Sequence, residues 1–234
     1  MEDSFSRYSR QIFIEEIGIA GQRKIKASKV LVIGAGGIGS PVIQYLSAAG
    51  VGTLGVVDFD VLEIHNLNRQ VIHAEINIGK SKVASAADFV KSFNSSISFI
   101  PIKKKITQEN VNEIIAPYDI VVDGSDNFTT RYIVNDACIA MDKVLIYGSI
   151  FAFEGQVAVF NYKGSKNLRD IFPEPPAPED VPNCDRFGVL GPLPGIVGSI
   201  MAMQALQVIT ELEVMSNHLL IINTKRWEFT KITF

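Results

Sequence analysis

The sequence predicts an α/β protein: a parallel sheet with helices on both faces, extended at its C-terminal end by antiparallel strands. Two features carry this prediction. Over the first 150 residues, short apolar runs alternate with segments of helical periodicity, as in a succession of strand–helix–strand units. From residue 154 onward, apolar and polar residues alternate instead, which is typical of an antiparallel strand with one solvated face.

A glycine-rich turn after the first predicted strand makes this sheet Rossmann-like. The apolar run 30–33 leads into Gly34, Gly36, Gly37 and Gly39, a helical segment follows, and a second apolar run ends at Asp58 and Asp60. Such glycines let the backbone approach a phosphate, and an acid about 20 residues later can accept hydrogen bonds from ribose hydroxyls. We therefore predict a nucleotide site here. The alternative is that the glycines form a turn with only a structural role and that the acid merely ends the second strand.

The remaining elements follow in order along the chain. The periodicity predicts helices at 41–49, 77–93, 108–115, 128–141 and 195–212, and strands at 53–57, 98–102, 119–123, 143–148, 154–162, 218–223 and 227–234. The first 28 residues predict short helices broken near Gly18 and Gly21, and the glycines and prolines at 188–198 predict a turn. The proline-rich stretch 163–187 predicts a long irregular loop.

Two polar segments are expected at the edge where parallel strands end, which is where open α/β sheets bind ligands. The first, EIHNLNRQV, carries Asn66 and Arg69, which suit either a triphosphate contact or an ordinary loop. The second follows the fourth predicted strand and carries Asp126 and Asn127. Asp126 is a candidate ligand for Mg²⁺, a hard cation that takes carboxylate and phosphate oxygens. Asn127 or Thr129 is expected to cap the next helix.

Of three basic features, two have two interpretations each and the third has one. Lys82 is expected in the first turn of a helix, where it opposes the helix dipole; this suggests a nearby anion, although most such lysines are only solvated. Arg10, in the cluster at 7–11, belongs either to a phosphate-binding arm or to a fraying terminus, and composition favours the terminus. The lysines at 103–105 favour a solvated loop.

The two cysteines are too few for a disulfide framework or a four-cysteine zinc site. Cys138 falls in an apolar helical segment, so we predict that it is a small residue of the core. Cys184 ends the proline-rich stretch, where a lone thiol could be a nucleophile, a redox partner or a bystander.

Length and charge predict a single cytoplasmic domain of 234 residues. A net charge of −3 offers no bulk attraction to nucleic acid or to an anionic membrane, so we expect neither as a partner. No apolar run reaches the ~18 residues that span a bilayer. The polar N-terminus lacks the apolar core of a signal peptide.

Seven motifs occur in a fixed order: RYSRQ (7–11), VIGAGGIGS (32–40), AGVGTLGVVDFD (49–60), NLNRQ (66–70), GKSKV (79–83), DGSDNFTTR (123–131) and GVLGPLPGIVGS (188–199). Together they resemble the ThiF/MoeB/HesA family, the bacterial relatives of ubiquitin-activating enzymes. The resemblance runs from about Arg7 to the C-terminus. The match is specific because all seven motifs occur together and in the order that the family shows. No single motif would identify the family.

This resemblance implies an adenylyltransferase that uses ATP and Mg²⁺. Its protein substrate is a small ubiquitin-like sulfur-carrier protein ending in Gly-Gly, whose carboxylate attacks the α-phosphate to give an acyl-adenylate and pyrophosphate. The activated carbonyl then becomes a thiocarboxylate for thiamine or molybdopterin synthesis. The motifs do not distinguish a ThiS-like carrier from a MoaD-like one.

The resemblance also assigns roles to residues of this chain. Gly34, Gly36 and Gly39 form the turn that approaches the phosphates, and Asp58 binds the ribose. Asn66, Arg69 and Lys82 contact the phosphates, and Asp126 binds Mg²⁺. The nucleotide site also includes Gly37, Asp60 and Asn127. Arg10 becomes an arginine finger that the partner subunit of a homodimer supplies, which replaces the fraying-terminus interpretation. The expected organisation is a helical arm at 1–28, a nucleotide-binding half at 29–150, and a carrier-binding and dimerisation half at 151–234.

The sequence departs from many family members in one place. They carry two Cys-x-x-Cys pairs that bind structural zinc, whereas LRDIFPE occupies 168–174 here, so we expect no zinc and greater reliance on the dimer and the apolar helix. No rhodanese-like domain follows, so a separate sulfurtransferase is expected to donate sulfur. Cys184 matches a family cysteine that is covalently linked to the carrier in some members and dispensable in others.

Two other functions compete with the adenylyltransferase. An NAD(P)-dependent oxidoreductase uses the same glycine fingerprint, but it has no need of the phosphate and metal ligands in NLNRQ and SDN. A non-catalytic nucleotide-binding scaffold is the other possibility. The presence of Arg10, Arg69, Lys82 and Asp126 together argues against it.

Overall fold

The computed structural model describes residues 3–176 and 188–234, and it contains a single eight-stranded sheet within them. The strands are β1 Lys29–Ile33, β2 Thr53–Val57, β3 Ser98–Ile102, β4 Ile120–Asp123, β5 Val144–Phe151, β6 Glu154–Phe160, β7 His218–Asn223 and β8 Glu228–Thr233. Their order is β3-β2-β1-β4-β5-β6-β7-β8; the first five are parallel and the last three are added antiparallel. The predicted fold class is therefore confirmed.

Helices cover both faces of the sheet. Those in the described residues are α1 Ser9–Ile12, α2 Gly18–Ala27, α3 Gly39–Ala49, α4 Lys82–Phe93, α5 Val111–Ile115, α6 Phe128–Ala140, α7 Leu168–Ile171 and α8 Pro192–Thr210. Short 3₁₀ turns lie at Asp3–Tyr8, Ile64–Asn66 and Glu75–Asn77. Successive residues of β1 point to opposite faces: Val30 packs into the core under α3, α4 and α8, and Leu31 packs into the core under α5 and α6.

The strand order reverses at β1, and this reversal positions the ligand site. The chain passes from β1 to β2 and β3 on one side, then returns to β4 on the other. Ile33, the last residue of β1, is in register with Val57 of β2 and Asp123 of β4. The loops that leave these three strands therefore diverge from one point, which is the crevice where such sheets bind ligands.

Three helix predictions were wrong in their boundaries, two of them because proline and glycine were read as breakers. Helix α8 begins at Pro192, so the predicted turn at 188–198 is mostly helix; proline is tolerated in a first turn, where its missing N–H is not needed. Gly21 lies inside α2, where a Cβ would lie 3.1 Å from Ile17 Cγ2, a tight contact that glycine avoids. The helix predicted from residue 77 begins only at Lys82, after a turn at Gly79 with φ +87°.

The antiparallel pairing predicted for β6 is confirmed, but the solvated face predicted for this strand is present only at its start. Residues 157–160 of this strand are all fully buried. Helix α8 covers Val157 and Val159 on one face, and Tyr147 and Phe234 cover Phe160 on the other. Because both of its faces are covered there, the C-terminal half of β6 has no solvated face, whereas Glu154 is exposed and Gln156 half-buried at its start.

Helix α8 is the core helix of the second half. By length and composition it is the described helix that could cross a membrane, and half of its apolar window is buried. It packs against α3 and against strands β5 and β6. Its apolar surface is thus largely used inside the fold.

Candidate functional site

A cavity of about 600 Å³ opens at the carboxyl ends of β1, β2 and β4. Predicted residues that line it are Gly34, Gly36, Gly37, Asp58, Asp60, Asn66, Arg69, Lys82, Asp126 and Asn127. They come from four separate segments, and the reversal of strand order brings these segments together. The structure thus assembles most of the predicted site in one place.

The glycine turn requires its glycines at two positions. Gly34 has φ +88°, in the left-handed region, and its N–H donates to Val57 O at 2.8 Å. Gly39 starts α3, and a Cβ there would lie 1.9 Å from Gly34 O. Gly39 does not line the cavity; its role is to let α3 pack tightly against the turn. Gly36 and Gly37 line the cavity wall itself.

The carboxylate of Asp58 is held by two backbone amides. Its Oδ2 accepts from Ala35 N at 2.8 Å and its Oδ1 accepts from Asp60 N at 2.8 Å. These bonds fix the group at the cavity wall. They also leave lone pairs on both oxygens, so Asp58 can accept further hydrogen bonds from hydroxyl groups.

Lys82 projects from the start of α4 and pairs with Asp60. Its Nζ lies 2.8 Å from Asp60 Oδ2, and its backbone N donates to Asp60 O at 3.0 Å. The carboxylate offsets part of the unfavourable interaction between the lysine and the helix dipole. The ammonium group is therefore fixed at the cavity rather than free in solvent.

Arg69 and Asn66 lie on the loop after β2. Arg69 Nη1 donates to His65 O and to Asn68 Oδ1, both at 3.0 Å, which directs the guanidinium along the loop. Asn66 is buried, and its Oδ1 accepts from Glu63 N at 3.0 Å in a capping box. Asn66 thus shapes the 3₁₀ turn that presents Arg69, a role that the sequence pattern did not indicate.

Asp126 and Asn127 lie on the loop after β4. Asn127 Oδ1 accepts from Thr130 N at 2.8 Å and caps α6, so the capping prediction is confirmed for Asn127. Asp126 is exposed at the cavity mouth, and its Oδ1 has a long contact of 3.5 Å with Asn127 Nδ2. It makes no ion pair within residues 3–176 and 188–234, so its oxygens are available to a cation.

Sequence reasoning missed Arg131, a buried residue of the cavity wall. Its Nη2 donates to Ser125 O at 2.8 Å, and its guanidinium stacks 5.1 Å from the ring of Tyr147. Asp123 lies fully buried beside it; burial raises the pKa of Asp123 and the charge of Arg131 opposes this rise. Arg131 ends the motif DGSDNFTTR, and this signal could have identified it.

The lysines predicted as a solvated loop also reach the cavity. Lys104 and Lys105 line its edge, and Lys105 Nζ lies 5.6 Å from the centre of the Phe59 ring. The cavity wall then carries five cationic side chains and three carboxylates. This balance favours a polyanionic ligand.

Arg10 is not brought to the cavity within one chain. It lies exposed on α1, which is held at the C-terminal end of α3 by a 2.9 Å bond from Gln11 Nε2 to Ala49 O. The glycine turn is at the other end of α3, about 16 Å away for an eleven-residue helix. Cys184 lies outside the described residues. Cys138 is buried, and burial raises the pKa of its thiol well above the usual range, as suits a core residue.

Within the described ranges, no group of three or more His, Cys, Asp or Glu side chains is arranged to hold a metal ion. Residues 168–174 form α7 and the turn after it, held to α6 by the ion pair of Arg169 with Asp136 at 2.7 Å.

Comparison with known proteins identifies several relatives. The chain is 42% identical to "Adenylyltransferase and sulfurtransferase MOCS3" of Anopheles gambiae over 231 residues, 98% of this chain and 52% of that protein. It is 42% identical to "Sulfur carrier protein adenylyltransferase" of Thermus thermophilus over 238 residues, 99% of this chain and 88% of that protein. The chain spans about half the length of the MOCS3 relatives that it matches.

Among solved structures, the fold is similar to that of E. coli MccB crystallised with MccA-N7isoASN. The TM-score is 0.87 at 22% identity, over 98% of this chain and 71% of that chain. At this identity the likeness concerns the fold alone.

The match to a family model covers nearly the whole chain. The ThiF family model aligns with residues 8–234, which include the glycine turn, the loops that bear Arg69 and Asp126, and helix α8. The chain therefore belongs to the ThiF family.

Proposed function

We propose that this protein adenylylates the C-terminal Gly-Gly carboxylate of a small ubiquitin-like sulfur-carrier protein, with ATP as the nucleotide and pyrophosphate as the leaving group. The observation that carries the proposal is the cavity at the β1 reversal, where a glycine turn, a fixed carboxylate and several cations converge. The names of the Thermus and Anopheles relatives support the same reaction.

The nucleotide has a natural orientation in this cavity. The ribose hydroxyls donate to the free lone pairs of Asp58, and the triphosphate runs along Gly36 and Gly37 toward the cations. Lys82 and Arg69, which both line the cavity, then neutralise phosphate oxygens. Asn66 shapes the loop that presents Arg69.

The chemistry needs positioning and charge neutralisation more than a protein base. A carboxylate is already deprotonated at neutral pH, and it attacks a phosphorus atom surrounded by negative charge. Cations held at the α-phosphate reduce the repulsion and stabilise the charge that develops as pyrophosphate leaves. Lys82, already fixed by Asp60, suits this task because it needs no reorganisation.

A magnesium ion fits at Asp126. The residue offers an exposed carboxylate at the cavity mouth with no cationic partner among the described residues, and hard oxygen ligands are those that Mg²⁺ takes. A single protein carboxylate with phosphate oxygens and water is a common way to hold this ion. Bound there, Mg²⁺ supplies neutralisation of the phosphate charge.

Arg10 is proposed to reach the cavity of the partner subunit in a homodimer. Two exposed apolar patches suit such an interface. The arm patch comprises Phe13, Ile14 and Ile19, and the rim patch, on the segment that carries Asn66 and Arg69, comprises Ile64, Val71 and Ile76. Phe13 is 75% exposed and Ile76 is 87% exposed, so a dimer interface that covered them would bury apolar surface.

In a twofold dimer, the arm patch of each subunit can cover the rim patch of the other. We propose that this pairing brings Arg10 of each subunit to the phosphate site of the other. A groove lined by Gln11, Tyr45 and Met203, between α3 and α8, lies beside the arm and extends the same surface.

The carrier's tail is proposed to enter from the side of β5. Phe151, Gly188 and Val189 line the cavity there, and a bridge between Ala152 and Val189 fixes the strand edge. The donor of sulfur is proposed to be a separate sulfurtransferase. For Cys184, a covalent link to the carrier stays a prediction; a Cys184→Ser variant that forms thiocarboxylate at the wild-type rate would exclude it.

ATP–pyrophosphate exchange tests the proposal directly. Wild-type protein should catalyse exchange only when a carrier ending in Gly-Gly is present, and comparison of ThiS-like with MoaD-like carriers identifies the pathway. A carrier lacking its last glycine is the matched control. Absence of carrier-stimulated exchange with every carrier tested would refute the proposed function.

A further inference from the structure

His73 is a buried imidazole that joins two parts of the candidate site without lining the cavity. Its side chain lies in the turn after NLNRQ and the residue is 8% exposed. One ring nitrogen, Nε2, lies 2.9 Å from Ala35 O in the glycine turn. The other, Nδ1, lies 2.8 Å from Ser85 Oγ on α4.

The two partners determine where the ring carries its proton. A carbonyl oxygen can only accept, so Nε2 carries the hydrogen and donates it to Ala35 O. Nδ1 then has a free lone pair and accepts from the hydroxyl of Ser85. Burial and the nearby charge of Lys82 lower the pKa of His73, while the Ala35 carbonyl and the charge of Asp58 oppose this, and the net shift favours the neutral ring.

The peptide units on both sides of Ala35 are fixed by this arrangement. The N–H of Ala35 donates to Asp58 Oδ2 at 2.8 Å, and its C=O accepts from His73. Ala35 lies between Gly34 and Gly36, where the chain would otherwise be most free to rotate. The orientation of the backbone that faces the cavity therefore depends on both bonds.

The Ser85 bond connects this turn to the helix that carries Lys82. Ser85 is three residues after Lys82, on the same side of α4, and is fully buried. His73 thus spans the distance between the glycine turn and the start of α4. A change in this bridge would move the turn relative to the Lys82 ammonium group.

We propose that His73 is a positioning residue that holds the glycine turn and Lys82 in the relative geometry needed for ATP. The inference rests on the proposed function for the identity of the nucleotide. It predicts that the bridge acts on nucleotide binding and leaves binding of the carrier unaffected, since the carrier's tail is proposed to enter from the side of β5.

Three variants test the bridge in the full-length protein. His73→Phe keeps the ring volume and removes both hydrogen bonds, Ser85→Ala removes the Nδ1 partner alone, and His73→Gln retains an amide that can donate to Ala35 O. Ile114→Val, on the opposite face of the sheet, is the control for loss of buried volume. KM values for ATP and for the carrier are measured by pyrophosphate exchange, and folding is checked by urea unfolding.

We expect His73→Phe to raise the KM for ATP roughly tenfold, since two neutral hydrogen bonds are lost. Ser85→Ala should give a smaller rise, and His73→Gln should recover part of the loss. The KM for the carrier should stay at the wild-type value in all three. Ser85→Ala and His73→Gln carry the test if His73→Phe does not fold.

Folded variants that keep the wild-type KM for ATP would overturn the inference, as would an equal rise in Ile114→Val. These results differ from failure of the proposed function, in which wild-type protein itself shows no carrier-stimulated exchange. In that event, equilibrium titration with a fluorescent ATP analogue decides the inference. Equal affinities of wild type and Ser85→Ala, or no binding by the wild type, would overturn it.

Discussion

Lys82 and Asp60 form an ion pair of 2.8 Å at the cavity wall, and the two side chains differ in exposure. The lysine side chain is 9% exposed and the aspartate side chain 46%. The ammonium group thus lies at the inner side of the pair and the carboxylate at the solvent side. An incoming phosphate can replace the Asp60 carboxylate as the partner of the Lys82 ammonium group, or can bind that group together with the carboxylate. Neither event requires the lysine to move.

We expect Lys82→Ala to lower kcat/KM for carrier-stimulated exchange by about 10²–10³, the usual effect of removing one fixed electrostatic group from a transition state. Asp60→Asn should cause a smaller loss because it removes the tether and keeps the charge of Lys82. Lys80→Ala is the matched control, since Lys80 pairs with Asp88 at 3.2 Å on the exposed surface. An equal loss in Lys80→Ala would contradict a specific role for Lys82.

Replacement of Asp126 should change the dependence of the reaction on Mg²⁺. In Asp126→Ala, we expect the Mg²⁺ concentration for half-maximal exchange to rise by roughly tenfold or more, because one carboxylate ligand is lost. The measurement is a Mg²⁺ titration at fixed ATP. Asp88→Asn removes a carboxylate from the surface of α4 and serves as the control. An unchanged Mg²⁺ requirement in Asp126→Ala would argue that other groups hold the ion.

The trans position of Arg10 can be tested by mixing two impaired variants. Arg10→Ala and Asp126→Ala should each show little exchange activity alone when Mg²⁺ is held near the half-maximal concentration of the wild type. If each site combines Asp126 of one subunit with Arg10 of the other, a mixed dimer keeps one intact site of two, and random exchange restores about a quarter of wild-type activity. Activity is measured after subunit exchange, with mixed dimers quantified by affinity tags. Mixed dimers without activity would contradict a shared site.

Much of the site follows from sequence because its residues come directly after strands. Gly34, Asp58 and Asp126 each follow a parallel strand, and parallel strands end at one edge, so their proximity could be inferred without coordinates. Lys82 was singled out by its conflict with the helix dipole, and the structure supplies the ion pair that offsets this conflict.

Other features depend on contacts between distant segments and leave no local pattern. The bond between His73 and Ala35 joins residues 38 positions apart. The burial of β6 depends on what packs on its two faces, and the start of α8 depends on where proline is tolerated. Periodicity reports only the local environment, so it misplaced these elements.

Residues 168–174 are held to α6 by side chains whose pH responses differ. The guanidinium of Arg169 binds Asp136 through two bonds, Nε to Oδ1 at 2.7 Å and Nη2 to Oδ2 at 2.8 Å. The hydroxyl of Tyr132 lies 2.9 Å from Phe172 O and 2.7 Å from Glu174 O, to which it can donate. The hydrogen bonds from Arg169 hold the pKa of Asp136 below its ordinary value.

A carboxyl group whose pKa is lower in the folded state stabilises the fold at pH values above its unfolded pKa, and this contribution is lost as the pH falls through the folded pKa. We expect Asp136→Asn to lower Tm by about 1–2 °C at pH 7, a small effect because the pair is partly exposed. The difference from wild type should shrink as the pH falls below about 3.9, the usual pKa of an unfolded aspartate, and should vanish only below the lowered folded pKa.

Tyr132→Phe is the matched comparison because a tyrosine hydroxyl stays protonated in acid. Its loss should lower Tm by about 2–4 °C, and this difference should persist at pH 3. Differential scanning calorimetry of the two variants between pH 3 and pH 8 separates the contributions. If the Asp136→Asn difference does not shrink as the pH falls through the folded pKa of Asp136, the ionised carboxylate does not contribute to holding this segment.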